Sequence, residues 1–249
     1  MNKRLKIIGL SVVVLLVIIA IFFIYVEPNG QDYPFIVGSG RLREISESTD
    51  ASGHAIRIME DDEYRYHYNV TRQQIQLISM KPELSETIAA VAPWGKLDRQ
   101  DVDLEPYLEM FFPGKAMEAL EIEFSAGGSP LEAYRYWVRE WEGDILLNTA
   151  TFSFTGDGRL SFAFRNNAVM PEGVEQNVDE AQAIKIAAEH LGIGEEFKEI
   201  SLEKVVYMDT VAWHVECSVE MGELDSYYAL YIDIESGDVM DELSTASAE

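Results

Sequence analysis

Hydrophobic and polar residues alternate most cleanly where Val211, Trp213, Val215, Cys217, Val219 and Met221 take one phase. Ala212, His214, Glu216, Ser218 and Glu220 take the other. A period of two puts successive side chains on opposite faces, so the stretch predicts a strand with one face on a core. Ahead of it, Asn177 can cap a helix, with Glu180 three positions later able to reach back. Ala181, Ile184, Ala188 and Leu191 recur at helical spacing, and Gly192 stops the run. A strand is expected over 200–208, and Tyr228, Leu230, Ile232 and Ile234 mark another. A turn from Asp233 to Asp238 then leads into a short last strand at Val239-Met240.

Residues 101–170 repeat this order. Leu104, Leu108 and Phe111 form a helical stripe, with Pro106 in the first turn and Pro113-Gly114 as the stop. Strands follow over 120–124, 133–141, 147–154 and 160–164, divided by turns rich in glycine. Residues 41–92 read as short strands and a helix carrying Leu84, Ile88 and Val91. In that segment Tyr64, Tyr66, Tyr68 and Val70 are predicted on one face, with Arg65, His67 and Asn69 on the other. The run Glu60-Asp61-Asp62-Glu63 has the charge for a cation but lacks the spaced oxygens of a calcium loop, so it reads as a solvated turn.

Residues 7–26 carry no charge, and at helical rise they span roughly 30 Å, the hydrocarbon thickness of a bilayer. Phe22, Phe23 and Tyr25 stand where a signal-peptidase site would need small residues, so an uncleaved signal anchor is expected. Lys3, Arg4 and Lys6 hold the N-terminus in the cytoplasm and place everything from Glu27 outside; a cleaved signal would also leave the remainder outside. The expected organisation is a cytoplasmic tail (1–6), a transmembrane signal anchor (7–26), a linker (27–40) and a β-rich segment with a short helix (41–92). Two helix-and-strand repeats (101–170 and 177–242) and a flexible tail (243–249) complete it. The predicted class is α+β: an N-terminal transmembrane helix, then tandem modules of one helix packed on an antiparallel sheet, preceded by a small β-rich segment.

The helix start Asp179-Glu180-Ala181-Gln182-Ala183-Ile184, the strand Trp213-His214-Val215 and the ending Tyr231-Ile232-Asp233-Ile234-Glu235-Ser236-Gly237-Asp238-Val239 together resemble the PepSY domain. That family's ending closes on Val-Asp-x-x-Thr-Gly-x-Val; here Ile232 replaces Val and Ser236 replaces Thr. The middle block is similar to the peptidase-propeptide-like YcdB/YcdC repeats of Gram-positive envelope proteins. Its likeness is carried by Tyr134-Arg135-Tyr136-Trp137-Val138-Arg139 and Phe152-Ser153-Phe154-Thr155-Gly156-Asp157-Gly158-Arg159-Leu160. The resemblance implies a non-catalytic module of the cell envelope, found beside peptidase propeptides.

Charge narrows the partners. The chain has 44 acids against 19 bases, a formal net charge of −25, and no acid precedes Glu27. Such a surface repels phosphates, which argues against nucleic acid and favours cationic peptides, polyamines or basic protein surfaces; the same charge also keeps an envelope domain soluble. Cys217 is the single cysteine, on the apolar phase of its strand, and reads as a packed thiol rather than a nucleophile. The histidines His54, His67, His190 and His214 show no metal-binding spacing, and neither a nucleophile elbow nor a phosphate loop is present. No catalytic residue, metal site or cofactor is therefore expected, and the chain reads as a non-enzyme.

One surface feature remains. Arg135, Trp137, Arg139 and Trp141 fall on one face of a predicted strand, opposite Tyr134, Tyr136 and Val138. They form a candidate binding face in which arginines hold tryptophan rings open by cation–π contact. The competing reading packs both tryptophans and pairs the arginines with nearby acids, and it takes precedence because large aromatics are usually core. The expected function is a single-pass membrane protein that meets an envelope or secreted protein outside the cell, a peptidase above all, and modulates or inhibits it. The alternative is the ectodomain of a ligand or ion sensor working with a separate membrane partner.

Overall fold

The computed structural model describes residues 37–50, 53–91, 102–194, 197–221 and 224–248. The expected cytoplasmic tail and membrane anchor lie outside these residues, as does most of the expected linker. No helix among the described residues is long and apolar enough to cross a membrane.

Twelve strands and three α-helices, with one 3-10 turn at Met117–Ala119, make up the described chain. In order they are β1 (Arg43–Thr49), β2 (Ala55–Glu60), β3 (Tyr64–Asn69), β4 (Gln74–Met80), α1 (Pro82–Val91) and α2 (Glu105–Phe111). Next come β5 (Leu120–Ser129), β6 (Glu132–Glu142), β7 (Ile145–Phe154), β8 (Leu160–Arg165) and α3 (Glu180–Leu191). The chain finishes with β9 (Glu199–Tyr207), β10 (Thr210–Met221), β11 (Leu224–Asp233) and β12 (Val239–Ala248). All strands join one sheet of order β1-β2-β3-β4-β8-β7-β9-β10-β11-β12, with β6 also on β7 and β5 on β6.

This overturns the tandem α+β modules expected from the sequence: the fold is mostly β, one mixed sheet with short helices laid on it. The reason lies in β7. One of its edges is taken along its length by β6. Its other edge pairs with β8 at Ala150–Phe154 and, farther back, in parallel with β9 at Ile145 and Leu146. A strand that shares one edge between two neighbours fuses what periodicity reads as separate repeats, because alternation reveals strands but not which edges pair.

The cross-strand register separates two faces. Tyr66 stands beside Ile78, Ile78 beside Ala163, Ala163 beside Phe152 and Phe152 beside Tyr136. All five are buried. The seven-residue α2 lies on this row, with the Phe111 ring 5.1 Å from Phe152 at 76° and the Tyr107 ring 5.4 Å from Phe154. Farther along the same face, α3 covers Trp213, Val215, Leu230 and Ile232 with Ala183 and Ala187. Small residues let that helix come close enough for Trp213 Nε1 to donate to Val178 O at 2.9 Å.

Several local expectations are corrected. The N-cap of α3 is Asp179, not Asn177, and its capping box closes with Gln182 rather than Glu180. Asn177 is held elsewhere: its backbone N–H donates to Ile234 O, and its side chain donates to Glu235 O. The helix therefore buries Ala183, Ala187 and Ala188 and leaves Ala181 exposed. Gly192 ends it at φ 67°, the left-handed conformation that favours glycine. In β3 the register slips between His67 and Tyr68, so Asn69 is buried instead of continuing the exposed phase. The tail at 243–248, expected to fray, is part of β12 and pairs with β11 as far as Ala248. β5 outruns its expected end because Gly127 admits a close approach; a Cβ there would lie 1.4 Å from Glu132 O.

The four-acid run is not a simply solvated turn. Asp61 is wholly buried. One carboxylate oxygen accepts from the backbone of Glu63 and Tyr64 at 2.8 and 2.7 Å, and the other from the Tyr66 hydroxyl at 2.6 Å. That hydroxyl in turn accepts from the N–H groups of Val37 and Gly38, tying the start of the described chain to β3. A carboxylate that accepts several hydrogen bonds can be buried at little cost, which composition alone does not reveal.

Candidate functional site on the open sheet face

The face opposite α2 and α3 carries neither of these helices, and its residues follow from strand register. On β10 the polar phase is Ala212, His214, Glu216 and Ser218, and the strands on either side bring matching residues alongside. Glu199 and Tyr227 flank Ser218, and Thr245 lies beyond Tyr227. Ser201 and Ala229 flank Glu216, with Leu243 beyond Ala229. Glu203 and Tyr231 flank His214, with Asp241 beyond Tyr231.

The third row is an aromatic and acidic ladder. Tyr207 stacks on Tyr231 at 3.8 Å and 14°, and His214 stacks on the same ring at 4.7 Å and 17°. The Tyr207 hydroxyl donates to Asp241. Burial, that hydrogen bond and the Asp241 charge push the Tyr207 phenol up to about 12. His214 lies 3.4 Å from Glu203 and 3.8 Å from Glu216. The hydrogen bond with His214 holds the Glu203 carboxyl below its usual range against the opposing effect of burial, and the charge of Arg139 helps.

The first two rows form a cup of about 600 Å³. Its floor is Ser218, 2% exposed, whose hydroxyl has no hydrogen-bond partner. Glu199 and Glu216 stand on its rim, while Tyr227 and Leu243, 45% and 58% exposed, offer apolar surface. Cys217 points to the buried side at 4% exposure, and burial pushes its thiol up to about 11, which leaves it protonated and unreactive.

The four residues singled out from the sequence share this open face of the sheet. Trp141 is half-buried against Leu146, Val205 and Ala212, and its Nε1 donates to Glu121 at 2.8 Å. Arg139 pairs with Glu121 and Glu123 at 3.2 and 3.1 Å. Arg135 pairs with Glu132 at 2.7 Å and lies over the Trp137 ring at 5.6 Å. Both arginines are thus engaged by acids, and the least encumbered surface is the cup on β9–β12. The cup is hidden in the sequence because its β11 residues Tyr227 and Ala229 lie, like Tyr231, on the phase opposite the apolar set Tyr228, Leu230 and Ile232. Aromatic residues on both phases of β11 were the available signal.

Among the described residues no group of three or more His, Cys, Asp or Glu side chains is placed to hold a metal ion.

No protein-family model matches the chain, and no curated protein matches it significantly. A solved structure similar to it is the Bacillus megaterium YpeB C-terminal domain, at 9% sequence identity and a TM-score of 0.38, covering 85% of this chain and 92% of that one.

Proposed function

We propose that this is a membrane-tethered, extracytoplasmic binding protein of the PepSY type, which acts by contact with an envelope or secreted protein, a peptidase foremost. The observation that carries the reading is the open face of β9–β12, a cup with exposed Tyr227 and Leu243 between acidic rims. Exposed apolar residues gathered in a concavity are characteristic of contact surfaces. The uncharged run at 7–26, with its basic flank, supplies the tether, and the −25 net charge selects a basic partner. In this reading the protein occludes its partner and does not transform it.

Site-specific photo-crosslinking in intact cells tests this. A crosslinker in place of Tyr227 is expected to give a discrete adduct with an envelope protein. One at Lys185, on exposed α3 surface, is expected to give none. Protease added outside the cell is expected to remove the C-terminal strands. Equal adducts from both positions, or C-terminal strands protected in intact cells, would refute the proposal.

A further inference from the structure

Within the contact reading, the cup can be given a chemical preference. Ser218 is the informative residue. Its hydroxyl is buried yet unpartnered, a condition that costs free energy unless something supplies the missing bond. It stands on the floor of a concavity, directly across from Glu199 and two residues along the same strand face from Glu216. Directly opposed side chains on neighbouring strands lie about 5 Å apart, and alternate residues along one strand about 7 Å apart. Register thus gathers one hydroxyl oxygen and two carboxylates on one stretch of the face, and the Glu216 side chain, 64% exposed and 3.8 Å from His214, has room to swing toward a cation seated there.

We propose that this cup receives a lysine side chain from an extended segment of a partner protein. An ammonium is a compact charge with three N–H donors, which suits three separate acceptors better than the planar fork of a guanidinium does. The exposed Tyr227 ring and Leu243 side chain flank the acceptors and would cover the aliphatic stem and the neighbouring apolar residues of the partner. Charge agrees, since a segment carrying lysine meets a strongly acidic chain.

The test uses the full chain in detergent micelles and two capped peptides, one with a single lysine between valines and one with that lysine acetylated. The unmodified peptide is expected to bind at least about tenfold more tightly, because acetylation removes the charge and two of the N–H donors. Glu199→Gln and Glu216→Gln are each expected to weaken it about fivefold, and Ser218→Ala about threefold, with added salt narrowing every difference. Ser218→Ala removes an unpartnered hydroxyl and should fold, which unchanged thermal melting would verify. Equal binding of both peptides, or an affinity untouched by all three variants, would overturn the assignment. Spermidine binding as tightly as the peptide would also overturn it, by giving the cup to free amines. If the Tyr227 adduct forms in cells but survives all three substitutions, the contact reading stands and the lysine pocket falls.

Discussion

Glu140→Ala is expected to lower the unfolding free energy by about 3–5 kcal/mol, measured by denaturant titration near neutral pH. Glu140 and Arg165 are 3% and 4% exposed and meet at 3.1 Å. Lys115 reaches the other carboxylate oxygen at 2.8 Å, and Asn148 donates at 2.8 Å. Removing the carboxylate leaves Arg165 as a buried cation with only the Phe112 ring, 4.6 Å away, to stabilise it. Its Nε and Nη1 already lack partners. The penalty is that of an uncompensated charge, so replacing both partners by apolar residues of similar volume should recover most of the loss. A loss below about 1 kcal/mol would mean that water reaches Arg165 and the pair is not truly buried.

The same carboxyl sets a pH dependence. Burial pushes it up, but the hydrogen bonds from Lys115 and Asn148 and the charge of Arg165 outweigh that and hold it below its usual range. A group depressed on folding contributes stability above its unfolded pKa and loses it as pH falls through the folded value. The gap between the wild type and Glu140→Gln should therefore be widest near neutrality and close in acid below the ordinary carboxylate range. A gap independent of pH would show that the carboxyl titrates alike in both states.

Phe152→Ala is expected to cost about 3–5 kcal/mol as well, through a different cause. Its ring is fully buried and meets Phe111 edge-on, with Tyr107 at 6.4 Å. The site is the anchor of α2, which at seven residues is too short to persist without packing. The variant should lose amide-exchange protection over Glu105–Phe111 before β10 and β11 do. Retained protection there would show that Leu108 and Phe111 hold α2 without the ring beneath them.

Much of the fold was legible where side-chain chemistry repeats locally. The alternation through β10 locates a strand because burial on one face demands it, and Gly192 marks a helix end because few other residues take its backbone angles. The α3 cap lies two residues beyond the expected one, since Asn177 and Asp179 are both good caps and only the contact of Asn177 with the end of β11 decides between them. The single sheet was not legible, because pairing between β7 and β9 is a property of two backbone edges far apart in sequence. The cup was hidden for a related reason. Glu199, Ser218, Tyr227 and Thr245 come from four strands, and only register makes them neighbours. Arg135, Trp137, Arg139 and Trp141 were found because they belong to one strand.

The parallel contact between β7 and β9 spans just Ile145 with Lys204 and Leu146 with Val205. It is the narrowest ladder in a sheet whose other neighbours zip over longer runs. Backbone bonding is therefore sparsest there, and side-chain packing carries the joint, Leu146 and Val205 with Trp141 on one face and Leu147 with Trp213 on the other. A partner tugging on the last four strands loads that packing, not a long ladder, while the cup lies wholly within those strands, so grip and detachment are governed by different parts of the same fabric.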